Sequence, residues 1–202
     1  LRFKRGAFNI CIGHANTGKT TVILYLLVAY AMKHGLKFLI FSSENTDYSI
    51  ARKLIEFKTA TPIQQLPDSV IESELEWVNE HFKIILVEKI YTARVLMSEA
   101  KKIKEVFDFD GLLVDPYNSL AKDPQLLRSV GGHEYDYQIA SEFRLFCKEN
   151  NVSMWLNCHG VTEALRRKHP SDHEMAGFPQ PCSMADVEGG GKWGNRRRRH
   201  GS

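Results

Sequence analysis

Residues 13–20 read Gly-His-Ala-Asn-Thr-Gly-Lys-Thr, a loop bounded by glycines and closed by Lys-Thr. An apolar strand-like run, Ala7-Phe8-Asn9-Ile10-Cys11-Ile12, delivers the chain to it, and an apolar helix-like run from Thr21 to Met32 carries the chain away. The octet matches GxxxxGK[ST] in full, and strand, glycine loop and helix follow one another in the order that pattern needs. Such an order restricts the fold, because the loop must sit at a sheet edge with a helix N-terminus facing outward. The free N–H groups of that terminus then attract an anion. Gly13 and Gly18 allow backbone conformations and close approaches that a Cβ would block. Lys19 brings a point charge to β- and γ-phosphates, and the Thr20 hydroxyl is suited to magnesium. Gly13, His14, Ala15, Asn16, Thr17, Gly18, Lys19, Thr20 and Thr21 are therefore the expected nucleotide-binding residues. The bland alternative is a glycine turn that caps a core helix.

A length of 202 residues with 43% hydrophobic content suits one sizeable α/β domain and is too short for two. The net charge is +3, yet the run Arg196–Arg199 alone carries +4, so the remainder sits near −1. The body of the chain is thus not a basic nucleic-acid glue. Cys11, Cys147, Cys158 and Cys182 lack CxxC spacing and read as reduced thiols, buried or incidental, of a cytosolic protein. The longest apolar run, Val22 to Met32, falls short of the ~18 residues that span a bilayer. Neither a signal peptide nor a membrane helix is expected, which places the chain in the cytoplasm of a bacterial or phage-infected cell rather than in an organellar matrix.

Further on, strands and helices alternate. Lys37–Ser43 reads as a buried strand, and Asp47–Thr59 as a helix with Tyr48, Ala51, Leu54, Ile55 and Phe57 inward and Asp47 as its cap. Residues 61–80 are polar and proline-containing, which predicts a loop with a short helix over Glu72–Asn79. A strand over Phe82–Val87, a helix over Thr92–Val106 and a strand over Asp110–Asp115 follow. Gly131-Gly132 then leads to a helix over Tyr135–Glu149 and a strand over Val152–Cys158. Continuous apolar strands joined by helices imply a mainly parallel central sheet covered on both faces.

Ligands of such sheets bind at the carboxyl ends of the strands. Glu44, Asp115 and His159 all fall there. Asp115, after Leu112-Leu113-Val114, suits a magnesium ion, usually held through water. Glu44 could accept a proton from the attacking water or orient it toward the γ-phosphate. His159 could hydrogen-bond that phosphate and report its loss. Each also has a duller reading: Asp115 before Pro116 as a turn starter, Glu44 as a surface charge at a helix start, and His159 as a strand-end histidine without a ligand.

The chain resembles the RecA-like ATPase domain of DnaB-type replicative helicases, including phage and mitochondrial primase-helicase relatives. The likeness lies in GHANTGKT as the Walker A loop, FSSEN as the strand end with a glutamate, GLLVDPYNSL as the Walker B strand, and NVSMWLNCHG as the strand ending in a sensor. It continues into SMADVEGGGKWGN, similar to that family's glycine-rich DNA-facing segment. The resemblance implies a RecA-like P-loop NTPase over residues 1–195, truncated at both ends, that hydrolyses ATP with Mg2+. Glu44 would be the catalytic base, Lys19 and His159 catalytic partners, and Thr20 with Asp115 the metal-holding pair.

By the same resemblance the full-length protein forms a hexameric ring on single-stranded DNA, with an arginine supplied by the neighbour and a possible primase domain or partner. No arginine of this chain is assigned that role. Arg166, Arg167 and Lys168 in one loop, and Lys192 beside Trp193 and Gly189-Gly190-Gly191 in another, are the candidate DNA contacts. A solvated basic turn and a plain flexible linker are the alternatives for those loops. Residues 196–202 read as a basic tail, disordered or introduced by cloning. Functionally, the expectation is an ATP-driven motor that moves along single-stranded DNA and unwinds duplex during replication. The alternatives are a RecA-like recombinase or regulatory ATPase, and a nucleotide-switched binding module that does not unwind.

Overall fold

The computed structural model describes residues 2–14, 16–87 and 89–159. Five strands, β1 (Phe8–Gly13), β2 (Phe38–Ser42), β3 (Phe82–Ile85), β4 (Gly111–Asp115) and β5 (Ser153–His159), form one sheet in the order β1-β5-β4-β2-β3. Every neighbouring pair is parallel. Among the described residues, the helices that connect them are α1 (Lys19–His34), α2 (Asp47–Thr59), α3 (Asp68–His81), α4 (Ala93–Val106), α5 (Pro124–Val130) and α6 (Gly132–Glu149).

The strands are apolar throughout because both faces of the sheet are buried, and successive side chains feed two different cores. Phe38 and Ile40 of β2 pack with Leu24, Leu27, Ile50, Leu54 and Val78 beneath α1, α2 and α3. Leu39 and Phe41 point the other way and meet Leu96, Ala100, Ile139 and Phe143 of α4 and α6. At Gly111 the first core comes closest to the backbone. A Cβ there would lie 2.7 Å from the Trp155 ring and 2.9 Å from the Phe38 ring, so only glycine lets both aromatics press on β4.

Several local expectations need correction. The cap of α2 is Thr46, whose side chain accepts from the Ser49 N–H at 3.2 Å, while Asp47 lies in the first turn and accepts from Tyr48 N–H. Tyr48 is 70% exposed rather than inward. With Ile50, Leu54 and Ile55 buried, a residue two places before Ile50 is rotated by about 200° to the outer face. The short helix predicted over Glu72–Asn79 is longer, Asp68–His81. Trp77 packs against the first core, and Lys58 of α2 both pairs with Glu74 and sits 4.7 Å over the Trp77 ring. Those contacts come from a neighbouring helix and are invisible in the local pattern. Helix α5 has no counterpart in the sequence expectation, although Asp123-Pro124 carries its signature: the Asp123 carboxylate accepts from Gln125 N–H at 2.9 Å and proline occupies the first turn.

Candidate functional site

The site is built at the carboxyl ends of β1, β2, β4 and β5. Gly18, at φ +83°, turns the chain out of the loop and into α1 in a left-handed conformation that favours glycine. Among the described residues no side chain caps α1, and no acid stands in its first turn, so the terminal N–H groups keep their affinity for an anion. The crowding expected at Gly13 is not found among the described protein atoms. A Cβ there would meet Thr17 Oγ1 at 3.4 Å and Lys19 Cδ at 3.5 Å, both ordinary contacts. The Lys19 ammonium folds back on its own loop, donating to the carbonyls of Gly13 at 3.0 Å and His14 at 2.5 Å. Thr17 Oγ1 donates to that same His14 carbonyl at 2.9 Å. A cation held at the loop's mouth in this way is placed to exchange carbonyl partners for phosphate oxygens. Asn16 adopts φ +59°, Thr21 is exposed at the start of α1, and Ala15 lies outside the described residues.

Asp115, at the tip of β4, is buried, and the Thr20 hydroxyl donates to its Oδ2 at 2.7 Å. The hydroxyl and the carboxylate expected to hold magnesium thus meet, although 95 positions separate them in sequence. Both are hard oxygen donors, which suits Mg2+. Among the described residues no group of three or more His, Cys, Asp or Glu side chains could hold a metal. A magnesium ion that relies on one carboxylate, one hydroxyl and substrate phosphates needs no such cage.

Glu44 and His159 also come together. The Asp115 carbonyl accepts from the Ser43 N–H at 3.2 Å, which ties the end of β2 to that of β4 and delivers Glu44 to the same rim. β5 runs one residue further than its apolar stretch suggests, so His159 lies in register with Gly13 on β1. Its Nε2 stands 3.3 Å from Glu44 Oε1. Glu44 is more than half exposed and His159 about a quarter, as groups that must meet water and a ligand should be.

Two residues missed at the sequence level hold this arrangement. Asn118, in the turn after β4, accepts the His159 backbone N–H on its Oδ1 at 2.8 Å. Asn157, fully buried in β5, donates from Nδ2 to Asp115 Oδ1 at 2.8 Å. A signal for Asn157 exists: an amide interrupts an otherwise apolar strand two residues before His159. Arg166, Arg167, Lys168 and Lys192 lie outside the described residues, as do Cys182 and the Arg196–Arg199 tail.

Cys11, Cys147 and Cys158 are free thiols, and burial pushes the last two up to about 12 from an ordinary 9.0. Below pH 9 these thiols are neutral in both folded and unfolded chains. Between 9 and 12 only the unfolded chain gives up their protons. Stability is therefore expected to fall as pH rises through that window, by about 1.4 kcal/mol per pH unit for each thiol. Urea titrations at stepped alkaline pH should show the decline, and Cys158→Ala should make it shallower; equal slopes in the two proteins would contradict the assignment.

A phosphate loop between β1 and α1, an all-parallel sheet with helices on both faces, and an acid at the tip of β4 against the loop hydroxyl define the RecA-like P-loop ATPase fold. Solved structures agree on that fold. One solved ATPase domain of a DnaB-like helicase superposes with a TM-score of 0.65 at 13% identity, over 87% of this chain and 66% of that one. A DnaB-like replicative helicase, described with its primase interactions, gives 0.62 at 12% identity, over 84% of this chain and 42% of the other. The KaiC-like protein PH0186 of Pyrococcus horikoshii gives 0.54 at 14% identity, over 87% and 68%. In sequence, the chain is 26% identical over 165 residues to the chloroplastic/mitochondrial Twinkle homolog protein of Arabidopsis thaliana, covering 76% of this chain. It spans only 23% of the length of that plant protein. No protein-family model matches the chain. Among the described residues, no helix is long and apolar enough to cross a membrane.

Proposed function

We propose that this domain is the motor of a DnaB-like DNA helicase, hydrolysing Mg-ATP to drive movement along single-stranded DNA and separation of the duplex in replication. The observation that carries the reading is the convergence of Lys19, the Thr20–Asp115 pair and the Glu44–His159 pair on one end of the sheet. A phosphate loop alone would serve many nucleotide binders. A carboxylate more than half open to solvent beside an imidazole, on the strand tips flanking that loop, adds the means to activate water.

In this reading the α1 N-terminus and Lys19 bind the phosphates, and Thr20 with Asp115 would hold magnesium. The ion, when bound, neutralises phosphate charge and leaves the leaving group easier to expel. Glu44 takes a proton from the attacking water, and His159 donates a hydrogen bond to the γ-phosphate. Loss of that phosphate removes the partner of His159, and the change passes into the chain that follows β5. Arg166, Arg167, Lys168 and Lys192 are the proposed contacts to DNA, within a hexameric ring in which a neighbour supplies an arginine. A primase, attached or separate, is the proposed partner, and the cytoplasm of a bacterial or phage-infected cell the proposed location.

The decisive measurement uses the full-length protein: ATP turnover with and without single-stranded DNA, beside strand separation on a forked duplex. DNA-stimulated turnover together with ATP-dependent separation is expected. Stimulated turnover without separation would assign the fold to a recombinase or regulatory ATPase, and tight ATP binding without turnover would make it a nucleotide-controlled binding module.

A further inference from the structure

We infer that Asn157 is a positioning residue for Asp115, and that its buried amide sets how tightly the site takes up its divalent cation. This rests on the reading of Thr20 and Asp115 as the metal-holding pair. Both oxygens of the Asp115 carboxylate are engaged, one by the Thr20 hydroxyl from α1 and the other by Asn157 Nδ2 from β5. The two donors grip the carboxylate from opposite sides, so its plane cannot turn without breaking one of them. A carboxylate keeps lone pairs free on each oxygen after accepting one hydrogen bond, and their direction is decided by where these donors stand.

Asn157 is an expensive choice for its place. It is fully buried, on the same sheet face as Trp155, among side chains of the first core. Its Oδ1 is buried and accepts no hydrogen bond among the described residues. A buried carbonyl without a partner destabilises the fold, and an apolar side chain of similar size would not. The amide therefore gains its place through the Nδ2 bond, which goes to the one carboxylate of the described site that is itself buried. Groups that orient a metal-holding side chain from behind tune affinity strongly although they never touch the ion.

The test is a titration of MgCl2 into the full-length protein with a fluorescent, non-hydrolysable ATP analogue, alongside thermal unfolding and steady-state kinetics. Asn157→Leu removes the donor and the orphan carbonyl together. Asn157→Asp keeps the shape but places an acceptor where the donor stood. Both are expected to raise the Mg2+ concentration at half-saturation about 10- to 100-fold. The KM for ATP at saturating Mg2+ should stay within about threefold of wild type, less than the tenfold that 1.4 kcal/mol represents. Asn157→Leu should melt at or above the wild-type temperature, which a residue kept for structure alone would not do. If Asn157→Leu fails to fold, its amide is structural and that part of the inference is overturned; Asn157→Asp then decides the metal part. Half-saturation within threefold of wild type in a folded Asn157→Asp protein overturns it. If the wild-type protein binds the analogue with no dependence on Mg2+, the reading of Thr20 and Asp115 has failed instead, which separates the two failures.

Discussion

Lys19→Ala is expected to weaken ATP binding by roughly 30- to 1,000-fold, the equivalent of about 2–4 kcal/mol, and to abolish turnover. The ammonium is part-buried and held by two loop carbonyls at the point where the glycine loop opens. Removing it takes away the only lysine of the loop and leaves the Gly13 and His14 carbonyls without that donor, so the anion site loses charge while gaining exposed acceptors. The fold should survive, because Lys19 belongs to neither buried core. Equilibrium titration with a fluorescent ATP analogue and a thermal melt, run on the same preparation, separate the two effects. Binding within a few-fold of wild type would remove Lys19 from the phosphate site and with it the functional reading.

Glu44→Gln should leave ATP binding nearly intact while lowering turnover by about 10²- to 10⁴-fold, the range associated with loss of a general base. The substitution keeps the shape and removes only the ability to accept a proton. Glu44 is 57% exposed, and its partner among the described residues is His159, so stability should change by no more than about 0.5 kcal/mol. Single-turnover hydrolysis in whichever assembly supports wild-type turnover is the direct measurement. Turnover that persists would place the base elsewhere, and Asp115, already committed to Thr20 and Asn157, is a poor substitute.

Much of the fold is legible in local sequence. The bounds Asp47–Thr59 expected for α2 are those observed, and Thr92, expected to open α4, is its cap. Strands β2, β3, β4 and β5 lie where their apolar runs are, within two residues at either end. The misses share one cause. An aromatic in a helical window suggests burial for Tyr48, yet the phase set by Ile50 and Leu54 turns it outward. Helix α3 outruns its expected bounds because its support comes from Lys58 and the first core rather than from its own sequence. Asn157 reads as one more strand residue because nothing local says which carboxylate its amide will meet.

What the chain carried on its own was everything decided within a few residues: the glycine that can take φ +83°, the capping hydroxyls, the runs apolar enough to be buried on both faces, and the identity of the loop lysine, hydroxyl and strand-tip acids. Period, dihedral preference and side-chain chemistry act over that range, so they can be read from a string. The strand order β1-β5-β4-β2-β3 cannot, and it alone brings Thr20 to Asp115, Asn157 to Asp115 and Glu44 to His159. Each of those contacts joins elements that meet only after long crossovers have packed two separate cores against a shared sheet, a balance of burial over the whole domain that no short stretch of sequence expresses.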